Sequence, residues 1–237
     1  PVTARAPTSA AQRDGELLLP VDDLTLEFHT DDGIERAVTE MSRDLHAGET
    51  LAILGESGSG KSVSVQTIMG LIPMPPGKVA AGSIRYRGTE LVGASDQLMR
   101  TIRGPEIAMI FQDPLTALNP VYRVGWQIGE MFRIHRGASR REGQAKAVEL
   151  MDRVGIPNAA LRARQYPHEF SGGMRQRAMI AMALALDPKV LVADEPTTAL
   201  DVTVQAQIME LLQEIQAVTN RGLVWFPHDL GVGACPA

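Results

Sequence analysis

The apolar run Thr50-Leu51-Ala52-Ile53-Leu54 leads directly into Gly55-Glu56-Ser57-Gly58-Ser59-Gly60-Lys61-Ser62. No other stretch restricts the fold as tightly. A short buried strand is followed by three glycines, a lysine and a hydroxyl residue, and then by a segment that reads as a helix over Lys61–Leu71 before Pro73, Pro75 and Pro76 stop it. Glycines let the backbone curl so that successive N–H groups face one point, and the helix N-terminus adds its positive dipole end. In the G-x-x-x-x-G-K-[ST] pattern the loop cradles nucleotide phosphates. Lys61 reaches the β and γ phosphates and the Ser62 hydroxyl ligates Mg²⁺. A chain carrying this element needs a sheet whose strand end opens onto a helix.

A second apolar run, Val190-Leu191-Val192-Ala193, ends in Asp194-Glu195. Strand tips bearing two carboxylates are common on solvated surfaces. After a phosphate loop, and ahead of Pro196-Thr197-Thr198-Ala199-Leu200-Asp201, the tip reads as the other half of a site. Asp194 then serves the Mg²⁺ shell, and Glu195 faces the attacking water as general base.

The remaining pattern sets the architecture. Leu17–Phe28 is strand-like, with a turn at Asp31-Asp32-Gly33, and Gly82–Arg87 and Ile107–Phe111 read as further strands. Helices dominate from Leu115 to Leu186, with examples over Arg141–Val154 and Met174–Leu186. Val202–Val218 is an amphipathic helix and Leu223–Phe226 a last strand. Strands alternating with helices imply a mixed α/β fold with a parallel sheet and a helical insert. The 237 residues suit one such domain.

Composition narrows the function classes. Net charge is −5, which argues against a large nucleic-acid footprint. The single cysteine, Cys235, leaves no intramolecular disulfide, so a reducing compartment fits. No run approaches the roughly 18 apolar residues that span a bilayer. Pro1–Gly15 lacks an apolar signal region, and residues 1–16 read as a disordered lead-in.

The segment Phe170-Ser171-Gly172-Gly173-Met174-Arg175-Gln176-Arg177 resembles the Leu-Ser-Gly-Gly-Gln signature of ATP-binding-cassette (ABC) ATPases, with Phe for Leu and Met for Gln. Ser171 and the Gly172–Gly173 amides open a long helix and form a second anion site. Other motifs then match the family in order. Gln112, in Phe111-Gln112-Asp113-Pro114, matches the Q-loop, which contacts Mg²⁺ or water. Asp201 matches the D-loop, and His228 in His228-Asp229-Leu230 matches the switch histidine that senses the γ-phosphate. Phe28 stands where the family places an aromatic that stacks on adenine.

The resemblance covers about residues 17–231. Arg103-Gly104, Phe111 to Pro120 and Tyr166 to Gly173 make it closest to dipeptide/oligopeptide (or nickel) importer ATPases. It implies a P-loop NTPase (RecA-like) core at 17–114 and 186–237, with an N-terminal antiparallel β region and an inserted helical subdomain at 115–185. It also implies ATP and Mg²⁺ as ligands and a second ATPase subunit, identical or paralogous, that caps each nucleotide with Ser171, Gly172 and Gly173. Transmembrane permease subunits and, indirectly, a solute-binding protein are the further partners. No nucleic-acid partner is implied, and the expected location is the cytoplasmic face of the cell membrane.

Three departures stand out. Pro227 precedes His228 where the family has Ser or Thr, Arg43 occupies a position expected to be apolar, and Gly231 to Ala237 does not read as family continuation. The cassette is therefore expected to be truncated at its C-terminus. Two other classes stay open: an ATP-binding interaction module with little turnover, and an ABC ATPase acting on nucleic acid. The second expects a long heptad insert between Lys61 and Asp194, and none is present. A GTPase would carry an Asn-Lys-x-Asp motif, also absent. His29, His46, His135 and His168 are scattered and read as ordinary surface or core residues. Arg136, Arg140 and Arg141 read as a solvated loop.

Overall fold

The computed structural model describes residues 15–53, 60–196 and 202–226. In chain order they form β1 (Leu17–Thr30), β2 (Gly33–His46), β3 (Thr50–Ala52), α1 (Lys61–Ile68), β4 (Gly77–Tyr86), β5 (Thr89–Glu90), α2 (Asp96–Ile102) and β6 (Ile107–Ile110). There follow α3 (Pro114–Ala117), α4 (Val124–Arg136), α5 (Arg140–Arg153), α6 (Ala159–Arg162), α7 (Gly172–Leu184), β7 (Val190–Asp194), α8 (Val202–Thr219) and β8 (Gly222–Phe226). They divide into two compact units, one running to Arg103 and resuming at Thr219, the other spanning Gly104–Val218.

The first unit contains the expected antiparallel region, a sheet in the order β2-β1-β4-β5. Thr30 pairs with Gly33 across the expected turn. β2 has no clean signal in the sequence, and the register explains why. Several irregularities interrupt the β1–β2 ladder, so the inward residues of β2 are Val38, Met41 and Leu45 instead of alternate positions. Bulges of this kind break the two-residue period on which strand recognition rests. β4 likewise starts at Gly77, ahead of Gly82, and pairs with β1 through an irregularity near Asp22 and Thr25. Arg43 is half-buried, and its guanidinium donates to the Ser42 carbonyl.

In the same unit β3 pairs parallel with β8, Thr50 opposite Leu223 and Ala52 opposite Trp225. α1 ends at Ile68, three residues before the expected Leu71, because Gly70 turns left-handed at φ 59°. The Arg103 guanidinium fastens this end, its Nε–H donating to the Met69 carbonyl at 2.7 Å and a terminal N–H to the Gly70 carbonyl. One of the carbonyls that the helix end leaves open, that of the C-cap Met69, is thus satisfied, together with the carbonyl of the following Gly70.

In the second unit β6 and β7 pair parallel, Ile107 with Val190 and Ile110 with Ala193, and every residue of both strands is buried. The strand expected to reach Phe111 stops at Ile110, and Phe111 is 38% exposed. The helical run takes up α3 to α7. α5 starts with a capping box between Ser139 and Glu142, whose carboxyl is held below its ordinary range by the Ser139 hydroxyl and amide. α4 and α5 approach closely at two glycines, where a Cβ on Gly143 would lie 2.7 Å from the Gly129 carbonyl oxygen. Among the described residues, no helix is long and apolar enough to cross a membrane.

Candidate functional site

In the first unit the site is built on the start of α1. Gly55, Glu56, Ser57, Gly58 and Ser59 lie outside the described residues, as do Asp201, Pro227 and His228. Gly60 is the N-cap, with φ 89°, and a Cβ there would meet the Ala37 carbonyl oxygen at about 2.2 Å. Only glycine suits both the left-handed backbone and that close approach. The Gly60 carbonyl accepts from the Ser64 amide at 2.8 Å and the Ser64 hydroxyl at 2.9 Å, which closes the first helical turn. Lys61 is 5% exposed, and Ser62 is half-buried beside it. Phe28 is half-buried near the end of β1, opposite Glu35 and Gly77. Its neighbour Glu27 accepts from Arg36 and His29, which together hold that carboxyl below its ordinary range.

In the second unit the site is built on the ends of β6 and β7. Asp194 closes β7 and is 5% exposed. Glu195, the next residue, has φ 44°, a left-handed conformation that costs a non-glycine residue about 1–3 kcal/mol and persists only where the surroundings hold it. Gln112 stands just past β6, and its side-chain amide donates to the Glu195 carboxylate at 2.9 Å. Two residues far apart in sequence and expected to share a site are therefore in direct contact.

The signature segment lies on the same unit. Phe170 is buried and anchors the loop, while Ser171 is exposed. The Ser171 hydroxyl accepts from the Met174 amide at 3.3 Å as N-cap of α7. The helix begins at Gly172, two residues before the expected Met174, so both glycines form its first turn. Gly173 has no room for a side chain, since a Cβ would meet Val204 of α8 at 2.9 Å.

Two glutamines that sequence reasoning passed over organise this unit. Gln127, buried on α4, accepts from the Asn119 amide and donates to the Asn119 and Tyr122 carbonyls, fixing the segment that follows Gln112. Gln176, 2% exposed on α7, donates to the Pro196 carbonyl at 2.5 Å. The available signal was a polar residue on an otherwise apolar helical face. Arg136, Arg140 and Arg141 are exposed, as the solvated reading expects, but stand on α4 and α5 and not on a loop, and Arg136 donates to the Leu186 carbonyl at 2.9 Å. Arg140 and Arg141 instead line a groove of about 1200 Å³ with Arg123, Arg164 and the stacked pair Tyr122 and Trp126, whose ring centroids are 4.5 Å apart.

Ser62 in the first unit and Asp194 in the second each offer a hard oxygen of the kind Mg²⁺ takes, and among the described residues no cluster of three His, Cys, Asp or Glu side chains could hold a metal by itself.

A glycine-to-lysine turn opening a helix, and a carboxylate pair at the tip of a buried parallel strand, define a P-loop nucleotide-binding domain of the mixed α/β class. Residues 38–198 match the family described as ABC transporter. The chain is 54% identical over 217 residues to the oligopeptide transport ATP-binding protein OppD of Bacillus subtilis, covering 92% of this chain and 61% of that protein. It is 52% identical over 219 residues to the dipeptide transport ATP-binding protein DppD of the same organism, covering 92% and 65%. Among solved structures it resembles a dimeric bacterial ABC transporter cassette, with a TM-score of 0.79, 28% identity, and coverage of 90% of this chain and 88% of that one. The same scores and coverage hold for a post-hydrolysis dimer of that cassette bound to ADP and Pi. The chain belongs to the ABC transporter family. It spans less than two thirds of the length of the two transport proteins.

The phosphate-loop geometry has a direct consequence. In Gly60→Ala the added Cβ meets the Ala37 carbonyl in a left-handed backbone. Strain of about 1–3 kcal/mol at the loop should lower ATP affinity by about tenfold. Nucleotide titration of the purified protein checks this.

Proposed function

We propose that this chain is the ATP-binding and ATP-hydrolysing subunit of an ABC transporter that imports peptides. The observation that carries the hydrolytic reading is Glu195, held beyond a buried strand in a strained conformation with its carboxylate fixed by Gln112. An ATP-binding module with little turnover has no need of such an arrangement. The names of the similar proteins, oligopeptide and dipeptide transport ATP-binding proteins, favour peptide over nickel as the cargo.

In this reading the chain is an ABC nucleotide-binding domain, with the core at 17–114 and 186–237 and the helical subdomain at 115–185. Gly55 to Ser62 wrap the phosphates, Lys61 neutralises charge on the β and γ groups, and Phe28 stacks on adenine. Ser62, Asp194 and Gln112 hold Mg²⁺, which when bound neutralises charge on the phosphate oxygens. Glu195 takes the proton of the attacking water, and His228 contacts the γ-phosphate. Ser171, Gly172 and Gly173 cap the nucleotide of a second subunit, so ATP favours the closed dimer through its preference for the sandwiched state. The similarity to a dimeric cassette supports this arrangement.

The chain works at the cytoplasmic face of a membrane, against permease subunits that span it. The groove beside Tyr122 and Trp126 is the face we assign to them. Val121 and Tyr122 are exposed apolar residues there, and the guanidinium groups of Arg140, Arg141 and Arg164 have neither hydrogen-bond nor ion-pair partners among the described residues. An apolar floor with free arginines suits a permease loop carrying apolar and acidic residues.

Three experiments test the proposal. Glu195→Gln removes the proton acceptor while keeping shape, so MgATP binding should persist and turnover in the assembled transporter should fall by ~10²–10⁴-fold. Turnover within threefold of the parent would remove Glu195 as the base.

For the dimer, Ser171→Asp is a cleaner probe than a Gly173 substitution, which would press on Val204. Aspartate caps a helix as well as serine, so the subunit should keep its fold, while the carboxylate repels the partner's phosphates. In a Glu195→Gln background, light scattering should then show loss of ATP-dependent dimerisation.

For the groove, Arg140→Glu with Arg141→Glu should abolish co-purification with the permease subunits and leave ATP affinity unchanged. Co-purification at the parental level would move the docking face elsewhere.

A further inference from the structure

One deeply buried polar side chain that the mechanism above leaves unused is Gln176. It is 2% exposed on α7, a helix whose neighbouring positions Ala178, Ile180 and Ala181 are completely buried. An amide in such surroundings is costly unless it is bonded. Its Nε2 donates to the carbonyl of Pro196, the residue immediately after Glu195, at 2.5 Å in a buried setting.

We propose that Gln176 is a positioning residue: it ties the exposed Ser171–Gly173 end of α7 to the catalytic carboxylate of its own subunit, and so couples the two nucleotide sites of the dimer. The proposal rests on the assignment of Glu195 as base and of the signature as a cap in trans.

The linkage is short and stiff. Proline fixes its own φ and has no N–H, so the carbonyl is the only backbone group through which Pro196 can be held. The residue before a proline is restricted as well, and that residue is Glu195, already in a left-handed conformation at φ 44°. Pinning the Pro196 carbonyl therefore limits the torsions that aim the Glu195 carboxylate, whose far side is held by Gln112. A second contact points the same way. Gly173 lies so close to Val204 that a Cβ would approach it to 2.9 Å. The first two turns of α7 thus touch the residues that precede and follow 197–201. When Ser171 and Gly173 engage the partner's nucleotide, α7 carries Pro196 with it and sets the base at the other site.

The test uses the assembled transporter. Gln176→Met fills the same volume without a donor. ATP affinity should stay at the parental value, while the melting temperature falls by only a few degrees because the buried Pro196 carbonyl loses its donor. kcat should fall by about ten- to a hundredfold, the loss that a small misplacement of a catalytic group produces, and the Hill coefficient for ATP should drop toward one. Gln176→Glu provides an independent readout that survives poor folding of the first variant. A carboxylate opposite a carbonyl cannot donate, whereas its protonated form can, and burial raises its pKa. Turnover of Gln176→Glu relative to the parent should therefore rise as pH falls.

A parental kcat and Hill coefficient in Gln176→Met would overturn the proposal. So would a pH-independent activity ratio in Gln176→Glu, or a kcat loss matched by an equal fold-loss of ATP affinity. Glu195→Gln, run in parallel, separates the two levels. If it hydrolyses ATP at the parental rate, the assignment of the base fails. If it is inactive while Gln176→Met is normal, only the coupling role of Gln176 fails.

Discussion

Strands buried on both faces can carry chemistry only at their ends, and the site in the second unit depends on that constraint. β6 and β7 are buried at every position, so a polar group along either strand would be stranded without water. The first polar side chains appear where the strands leave the core: Gln112 after β6, Asp194 and Glu195 at the tip of β7. Because the two strands run parallel, with Ile110 beside Ala193, these residues emerge at the same edge. The 2.9 Å bond between Gln112 and Glu195 follows from the pairing register. Shifting that register would separate them.

The same logic governs α7. Its buried positions mix small residues, Ala178, Ala181 and Ala183, with the larger Met179, Ile180 and Leu184. Its N-terminal end is the opposite: Ser171 is exposed and both glycines sit in the first turn. One helix therefore has an exposed, glycine-opened end and a body built for the core. Arg177 adds to the fastening, with one N–H on the Val154 carbonyl and another on Gln207 of α8.

Charge is distributed with similar economy. The chain carries a net −5, yet four arginines from separate stretches, Arg123, Arg140, Arg141 and Arg164, meet around one aromatic-walled groove. Composition argued against a broad basic surface, and that argument holds for the whole chain. It could not register a local cationic patch, because the residues that build it are up to 41 positions apart and only the packing of α4 on α5 and the loop before α7 brings them together.

By itself the sequence determined what local rules can encode: the strand–glycine–lysine turn at Gly60 and Lys61, the carboxylates closing β7, the serine cap of α7 and the alternation of strands with helices. Each is specified by residues within one turn or one strand, where backbone sterics and capping act without help from distant parts. It did not reveal β2, whose bulges destroy the alternation that would announce it, or the true start of β4, where Gly82 interrupts the pattern. Nor did it reveal the roles of Gln127 and Gln176, because a polar residue on an apolar helical face signals a buried amide without saying which carbonyl it meets. Only the tertiary structure decided those, since a side-chain bond to a backbone carbonyl 5, 8 or 20 positions away exists only once folding has brought donor and acceptor together and excluded water from both.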